Sequence, residues 1–260
     1  MDPVSPAGPV DGMSLPPAVE AAWGLRERPH RGPKPGLSLL RIVEAGVQIA
    51  ESEGLAAVSM SRVAAEVGAA PMSLYRHVAS KDELVALMVD TVYGQFLVPT
   101  AAGKGWRAGL AELAGVMRAA MYRHPWILRV PIGGLPVRPN EVAWFEQTLA
   151  CLHGTGLTED EKASVVLLVS GYVRNEASTN ADIVAAVQAS GMAPDEWMSG
   201  YGRLLARLTD PERFPAITRF IAAGVFERFD PPDREFTFGL DRILDGIGAL
   251  VSARSRPEPE

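Results

Sequence analysis

Val58-Ser-Met-Ser-Arg-Val-Ala-Ala-Glu-Val-Gly68-Ala-Ala-Pro71-Met-Ser-Leu-Tyr-Arg-His-Val-Ala-Ser-Lys81 is the stretch on which the fold of this 260-residue chain turns. Val63, Ala64 and Val67 recur at helical spacing before Gly68, and Leu74 and Val78 do so after it. Gly68 tolerates the left-handed backbone that ends a helix. Pro71 falls where the first turn of a second helix has no use for an N–H. With those apolar residues turned inward, Ser73, Tyr75, Arg76 and His77 remain outside, and Lys81 lies just beyond. Hydroxyl, phenol and cationic groups of this kind meet base edges and phosphates in a major groove. The pattern predicts a helix-turn-helix and points to double-stranded DNA. The plainer reading is a helical hairpin with an ordinary solvated face.

The flanks extend the pattern. Ser38 predicts an N-cap for a helix running to about Glu53, with Ile42, Ala45, Gly46, Ile49 and Ala50 on one face and Gly54 as its stop. Ser59 caps the helix that ends at Gly68, and Ser80 with Glu83 reads as a capping box. The helix it opens carries Leu84, Leu87, Met88 and Val92 inward and connects this head to the rest of the chain. The net charge of −6 runs against nucleic-acid binding, but its distribution does not. Between Trp23 and Arg41 five cations face a single acid, Glu27. Residues 1–22, rich in proline, are expected to be disordered. The following segment, with Arg26, Arg28, Arg31 and Lys34, reads as a basic arm along the DNA backbone or minor groove, or else as a solvated linker.

The segment from about Leu37 to Gly94 resembles the DNA-binding domain of the TetR (tetracycline repressor-like) family. The resemblance is carried by Ser59-Met-Ser-Arg-Val-Ala64, Gly68, Met72-Ser-Leu-Tyr-Arg-His-Val78 and Ser80-Lys-Asp-Glu-Leu84. The remainder resembles the tetracycline-repressor type of C-terminal domain through Phe236-Thr-Phe-Gly-Leu-Asp-Arg-Ile-Leu-Asp-Gly-Ile247. The resemblance implies that Pro71, Met72, Ser73 and Tyr75 face bases while Arg76, His77 and Lys81 meet phosphates. Ser59 and Arg62 join that DNA-facing set, although Arg62 reads nearly as well as a surface charge. The family commonly has a basic, base-reading residue where this chain has Ser61, so the operator sequence is not carried over. Nor is the magnesium–tetracycline specificity, because the histidine and asparagine set that holds the chelate has no clear equivalent.

Beyond Gly105, helical patterns cover Trp106–Tyr122, Pro125–Arg129, Asn140–Leu152, Thr158–Gln188, Asp195–Leu208, Arg213–Phe229 and Thr237–Ser252, with a second capping box at Thr158 and Glu161. Sustained period-2 alternation is missing, so the expected class is all-α. The expected organisation is a disordered extension with a basic arm (1–36), a helix-turn-helix domain (37–94), a helical ligand-binding and dimerisation domain (95–253) and a disordered tail (254–260).

Polar and aromatic residues set into the apolar helices nominate a small-molecule pocket: Met117, Met121, Trp126, Asn140, Trp144, Tyr172, Asn175 and Glu176. Core packing is the plain alternative for each aromatic. Phe238, Ile243, Ile247 and Leu250 suit a self-complementary dimer seam with the helix beginning at Thr158. His30, His77, His124 and His153 fall in no zinc-hydrolase spacing, and nucleophile elbows and glycine-rich phosphate loops are missing, so neither an enzyme nor a metal or other cofactor is expected. Cys151 is alone, and the start of the chain has no cationic lead into an apolar run; a cytoplasmic protein off the membrane is expected. Together these features predict a homodimeric repressor released from a palindromic operator by a small molecule. The competing prediction is an all-α ligand-binding protein or enzyme whose helix-turn-helix is only structural.

Overall fold

A computed structural model describes residues 16–25, 37–132, 136–227 and 232–254. Regular structure among these residues is entirely helical, as the sequence predicts. The chain divides into two compact units, 1–154 and 155–260. The expected boundary near residue 94 therefore lies inside the first unit.

The first unit opens with α1 (Pro17–Ala22), which overturns the expectation of disorder for those residues. Six residues cannot hold a helix alone. Pro17 presets the first turn, and the remainder is tertiary: Ala18 and Val19 are buried, and the Ala18 amide donates to Glu83 Oε1 at 3.1 Å. Trp23 then donates its indole N–H to the Val137 carbonyl at 2.8 Å.

The helix-turn-helix follows as α2 (Leu39–Glu53), α3 (Met60–Val67) and α4 (Pro71–Leu74). Ser38 and Ser59 cap α2 and α3 through the amides of Arg41 and Arg62, and Gly68 takes φ +69° at the C-cap. The predicted inner face of α2 is buried throughout; of the hairpin residues, Val63, Ala64, Leu74 and Val78 are buried and Val67 is half-buried. α5 (Lys81–Tyr93) packs on α2 with Met88 against Gly46. Only half of its capping box forms. Ser80 accepts the Glu83 amide, but the Glu83 carboxylate turns to the amides of Ala79 and Ala18.

Lys81–Lys104 is long and apolar enough by composition to cross a membrane. In the structure its α-helical part is 13 residues, two short 3-10 turns follow, and Leu84, Met88, Val92 and Phe96 are core residues. The unit is completed by α6 (Trp106–Arg123), a 3-10 turn at Pro125–Arg129 and α7 (Pro139–Cys151), which packs on both α5 and α6.

The second unit consists of α8 (Glu159–Ser190), α9 (Pro194–Leu208), α10 (Pro215–Ala222) and α11 (Pro232–Arg254). Thr158 and Glu161 form the predicted capping box in full. The helix expected over Arg213–Phe229 breaks at Gly224, where φ is +68°. α8 lies on α11 at Tyr172, whose ring stacks on Phe236 and whose hydroxyl donates to the Phe236 carbonyl at 3.0 Å. Gly239 permits this approach, because a Cβ there would stand 2.2 Å from the Tyr172 hydroxyl.

Candidate functional site

The turn around Gly68 buries Leu74 and leaves the opposite side of α4 outside. Met72 is 73% exposed and Tyr75 47% exposed, and Pro71 and Arg76 are also exposed. Ser73 and His77 are half-buried, and Lys81 lies exposed at the start of α5. An exposed methionine beside an exposed tyrosine is unusual on a solvated helix, and both suit contact with base edges and thymine methyl groups. α4 is a single α-turn, continued by the amides of His77 and Val78 bonding back to the Leu74 carbonyl.

Two predicted DNA residues have structural duties. The Ser59 hydroxyl accepts the Arg62 amide at 3.1 Å as the cap of α3. The Arg62 guanidinium bridges Glu53 at 2.7 Å and Glu66 at 2.8 Å, which ties α3 to the end of α2. This pairing holds the Glu53 carboxyl below its ordinary range and Arg62 above its own. The arm residues Arg26, Arg28, Arg31 and Lys34 lie outside the described residues.

The nominated pocket residues separate. Met117, Met121, Trp126, Asn140 and Trp144 belong to the first unit, and Tyr172, Asn175 and Glu176 to the second. Met117, Met121, Trp126 and Trp144 are buried. Asn140 is engaged already: its side-chain nitrogen donates to the Asp90 carbonyl at 3.0 Å and to Asp90 Oδ2 at 3.2 Å. Tyr172 holds α11 as described, Asn175 is exposed and Glu176 half-buried, so Asn175 is not the buried polar break its setting in α8 suggested.

The residue that sequence reasoning missed is Asp90. Its Oδ1 accepts the backbone amides of Asn140 and Glu141, both at 3.0 Å, so α5 caps α7 from outside. Desolvation raises the Asp90 pKa, partly opposed by these backbone bonds. A signal was present: a single carboxylate among the apolar positions of α5. Nearby, His124 Nε2 stands 3.1 Å from Gln95 Oε1. Its Nδ1 lies 2.7 Å from Glu51 Oε1 of α2, off the line of a hydrogen bond.

A helix-turn-helix head with an exposed reading turn, joined to a helical body, defines a DNA-binding transcriptional regulator. Residues 42–88 match the tetR family of bacterial regulatory proteins, and residues 98–251 match the tetracyclin repressor-like C-terminal domain. The chain belongs to the TetR family. The HTH-type transcriptional repressor DrrR1 of Streptomyces coeruleorubidus is 38% identical over 237 residues, covering 91% of this chain and 86% of its own. ActR of Streptomyces coelicolor in complex with actinorhodin is similar with TM-score 0.70 and 28% identity, over 83% of this chain and 97% of that one. The same protein in complex with (S)-DNPA gives 0.66 and 30%, over 82% and 98%.

Proposed function

We propose that this repressor acts as a cytoplasmic homodimer on a palindromic operator and leaves it when a small organic molecule occupies the helical body. The observation that carries the reading is the exposed set Pro71, Met72, Tyr75 and Arg76, with Ser73 half-buried among them, on a head whose other face is buried. Pro71, Met72, Ser73 and Tyr75 would read bases, while Arg76, His77 and Lys81 meet phosphates. Ser59 reaches the backbone only with the proton its cap leaves free. The cations at Arg26, Arg28, Arg31 and Lys34 precede α2 directly in sequence and add phosphate charge.

The second unit supports the dimer. There α8 and α11 line a groove of ≈ 540 Å³ with Val165, Leu168, Ile243, Ile247 and Leu250. Leu167 at 73% exposed and Phe238 at 64% stand outside it, a surface that a second copy would cover as a four-helix bundle. Two-fold symmetry then sets two reading turns on successive major grooves.

ActR, solved with actinorhodin and with (S)-DNPA, supports a small-molecule effector for this chain. α5 is the coupling element, since it touches α2 through Met88 and α7 through Asp90. A coupling of about 1–3 kcal/mol weakens operator binding by roughly 5–150-fold.

Fluorescence anisotropy with the DNA upstream of the protein's own coding sequence tests the reading, with fragments selected from the genome as a second source of sites. Competitor-resistant binding that is lost in Tyr75→Ala and Arg76→Ala supports it. DNA affinity that is indifferent to sequence and to both substitutions across both sources overturns it in favour of a structural helix-turn-helix.

A further inference from the structure

The leading edge of the reading turn carries no hydrogen-bonding code. Ala70, Pro71 and Met72 are exposed one after another, and Ala70 stands at the N-cap of α4 without a side-chain bond. In a helix-turn-helix the N-terminal residues of the second helix are the ones that meet base edges. Here they present a methyl group, ring methylenes and a thioether. The first polar side chain of α4 is Ser73, which is half-buried.

The side chains that name a base are missing or already engaged. Guanine is named by a bidentate Arg or Lys, adenine by Asn or Gln, and cytosine by Asp or Glu. Between Ser59 and Lys81 the chain has neither Asn nor Gln, and its one acid is Glu66. The Arg62 guanidinium holds Glu66 at 2.8 Å and Glu53 at 2.7 Å, so these three charges occupy one another. Arg76 and Lys81 come after α4 ends at Leu74, on the trailing side of the turn. Ser61 and Tyr75 are exposed and offer hydroxyls, which pair with several bases alike. One feature of the major groove is told apart without any hydrogen bond: the C5 methyl group of thymine.

We infer that each operator half-site is read through thymine methyl groups packed against Pro71 and Met72, with no guanine contact from Arg62. The assignment rests on the reading of the protein as an operator-binding repressor and names what distinguishes that operator. The exposed thioether is then covered in the complex, against a group that no other base of normal DNA presents. Arg62 neutralises two carboxylates that would otherwise repel phosphates from α3, and so serves the surface as a positioning residue without reading it.

The test is fluorescence anisotropy of the full-length protein on operator fragments selected from the genome, with each thymine in turn replaced by uracil. Uracil keeps the base pair and removes only the methyl group. At a thymine that faces the turn, the replacement weakens binding by about fourfold in one half-site and roughly fifteenfold in both, the worth of one or two buried methyl groups. The salt slope stays as it was, because no phosphate contact is lost. At the thymine facing Met72, Met72→Ala binds both DNAs alike, and Met72→Leu, which restores an apolar side chain, recovers the sensitivity. Equal unfolding midpoints show that both variants are folded. Three outcomes overturn the assignment. Uracil is tolerated at every thymine; or its losses are the same in wild type and Met72→Ala, which gives them to DNA shape; or 7-deazaguanine, which lacks the N7 acceptor, weakens wild type but not Arg62→Ala. If selective binding persists in those cases, the repressor reading stands with another code. If no selected fragment is bound selectively, that reading fails and the methyl assignment falls with it.

Discussion

Asp90 caps a helix to which it does not belong: its carboxylate on α5 receives the first amides of α7, and Asn140 returns two bonds to it. The pair welds the helix that supports the DNA-reading head to a helix of the body. Asp90→Ala removes the cap and strands two amides, which lowers stability by about 2–3 kcal/mol in chemical denaturation. Asn140→Ala costs less, and a double-mutant cycle gives a coupling of at least about 1 kcal/mol. Additive losses would mean that the two residues act separately.

Two carboxylates give opposite pH slopes. Burial raises the Asp90 pKa in the folded protein, so the native state binds its proton more tightly than the unfolded chain does. The stability of wild type relative to Asp90→Asn therefore falls as pH rises from about 4 through the native value, then levels. Glu161 is lowered, first by its hydrogen bond from Arg254 and then by the Thr158 amide. Its contribution is present above the ordinary carboxyl range and is lost as pH drops through about 4 and below, so the wild-type margin over Glu161→Gln widens with rising pH. Denaturation curves from about pH 3 to 6 separate the two; slopes of the same sign would contradict the assignment.

Gly239→Ala drives a methyl group into the Tyr172 ring, whose Cζ would be 2.6 Å away. Overpacking of this kind costs about 1–3 kcal/mol. Tyr172→Ala in the same chain relieves the clash, so the double variant loses less than the sum of the two single changes. Thermal unfolding of the four proteins reads this directly.

α1 is held by the Glu83 carboxylate and by Trp23 on Val137. Trp23→Phe keeps the ring and removes the N–H, and the bond is exposed, so global stability changes by less than about 1 kcal/mol. Local opening is another matter. Limited proteolysis between residues 16 and 25 accelerates in the variant while the rest of the chain keeps its resistance. Unchanged cleavage there would show that Glu83 and the buried Ala18 and Val19 suffice.

At the DNA surface, Arg76→Ala and Lys81→Ala weaken operator and non-operator DNA alike and each reduce the salt slope by about one. Met72→Ala weakens operator DNA alone, because an apolar side chain reads bases and leaves phosphates untouched. Arg62→Ala, whose guanidinium is already shared by two carboxylates, leaves the salt slope as it was. Anisotropy titrations at several salt concentrations distinguish the three patterns.

Much of this protein is local and was therefore legible. Ser38, Ser59, Thr158 and Gly68 act on amides and carbonyls within a few residues, so caps and turns follow from short spacing, and helical periodicity marks the buried faces of α2 and α5. The reading turn was visible for the same reason: an apolar residue in every third or fourth place leaves the polar set outside. What only the tertiary structure decided depends on partners far along the chain. Asp90 meets Asn140, fifty residues away, and α1 exists because Glu83 and the core cover six residues that cannot hold a helix unaided. Asn140, nominated for a ligand, is held by Asp90, while Trp126 and Trp144, equally plausible as plain core, keep unpaired donors. Spacing reports the backbone bonds a residue makes with its neighbours; only the assembled core shows which buried polar groups have found partners.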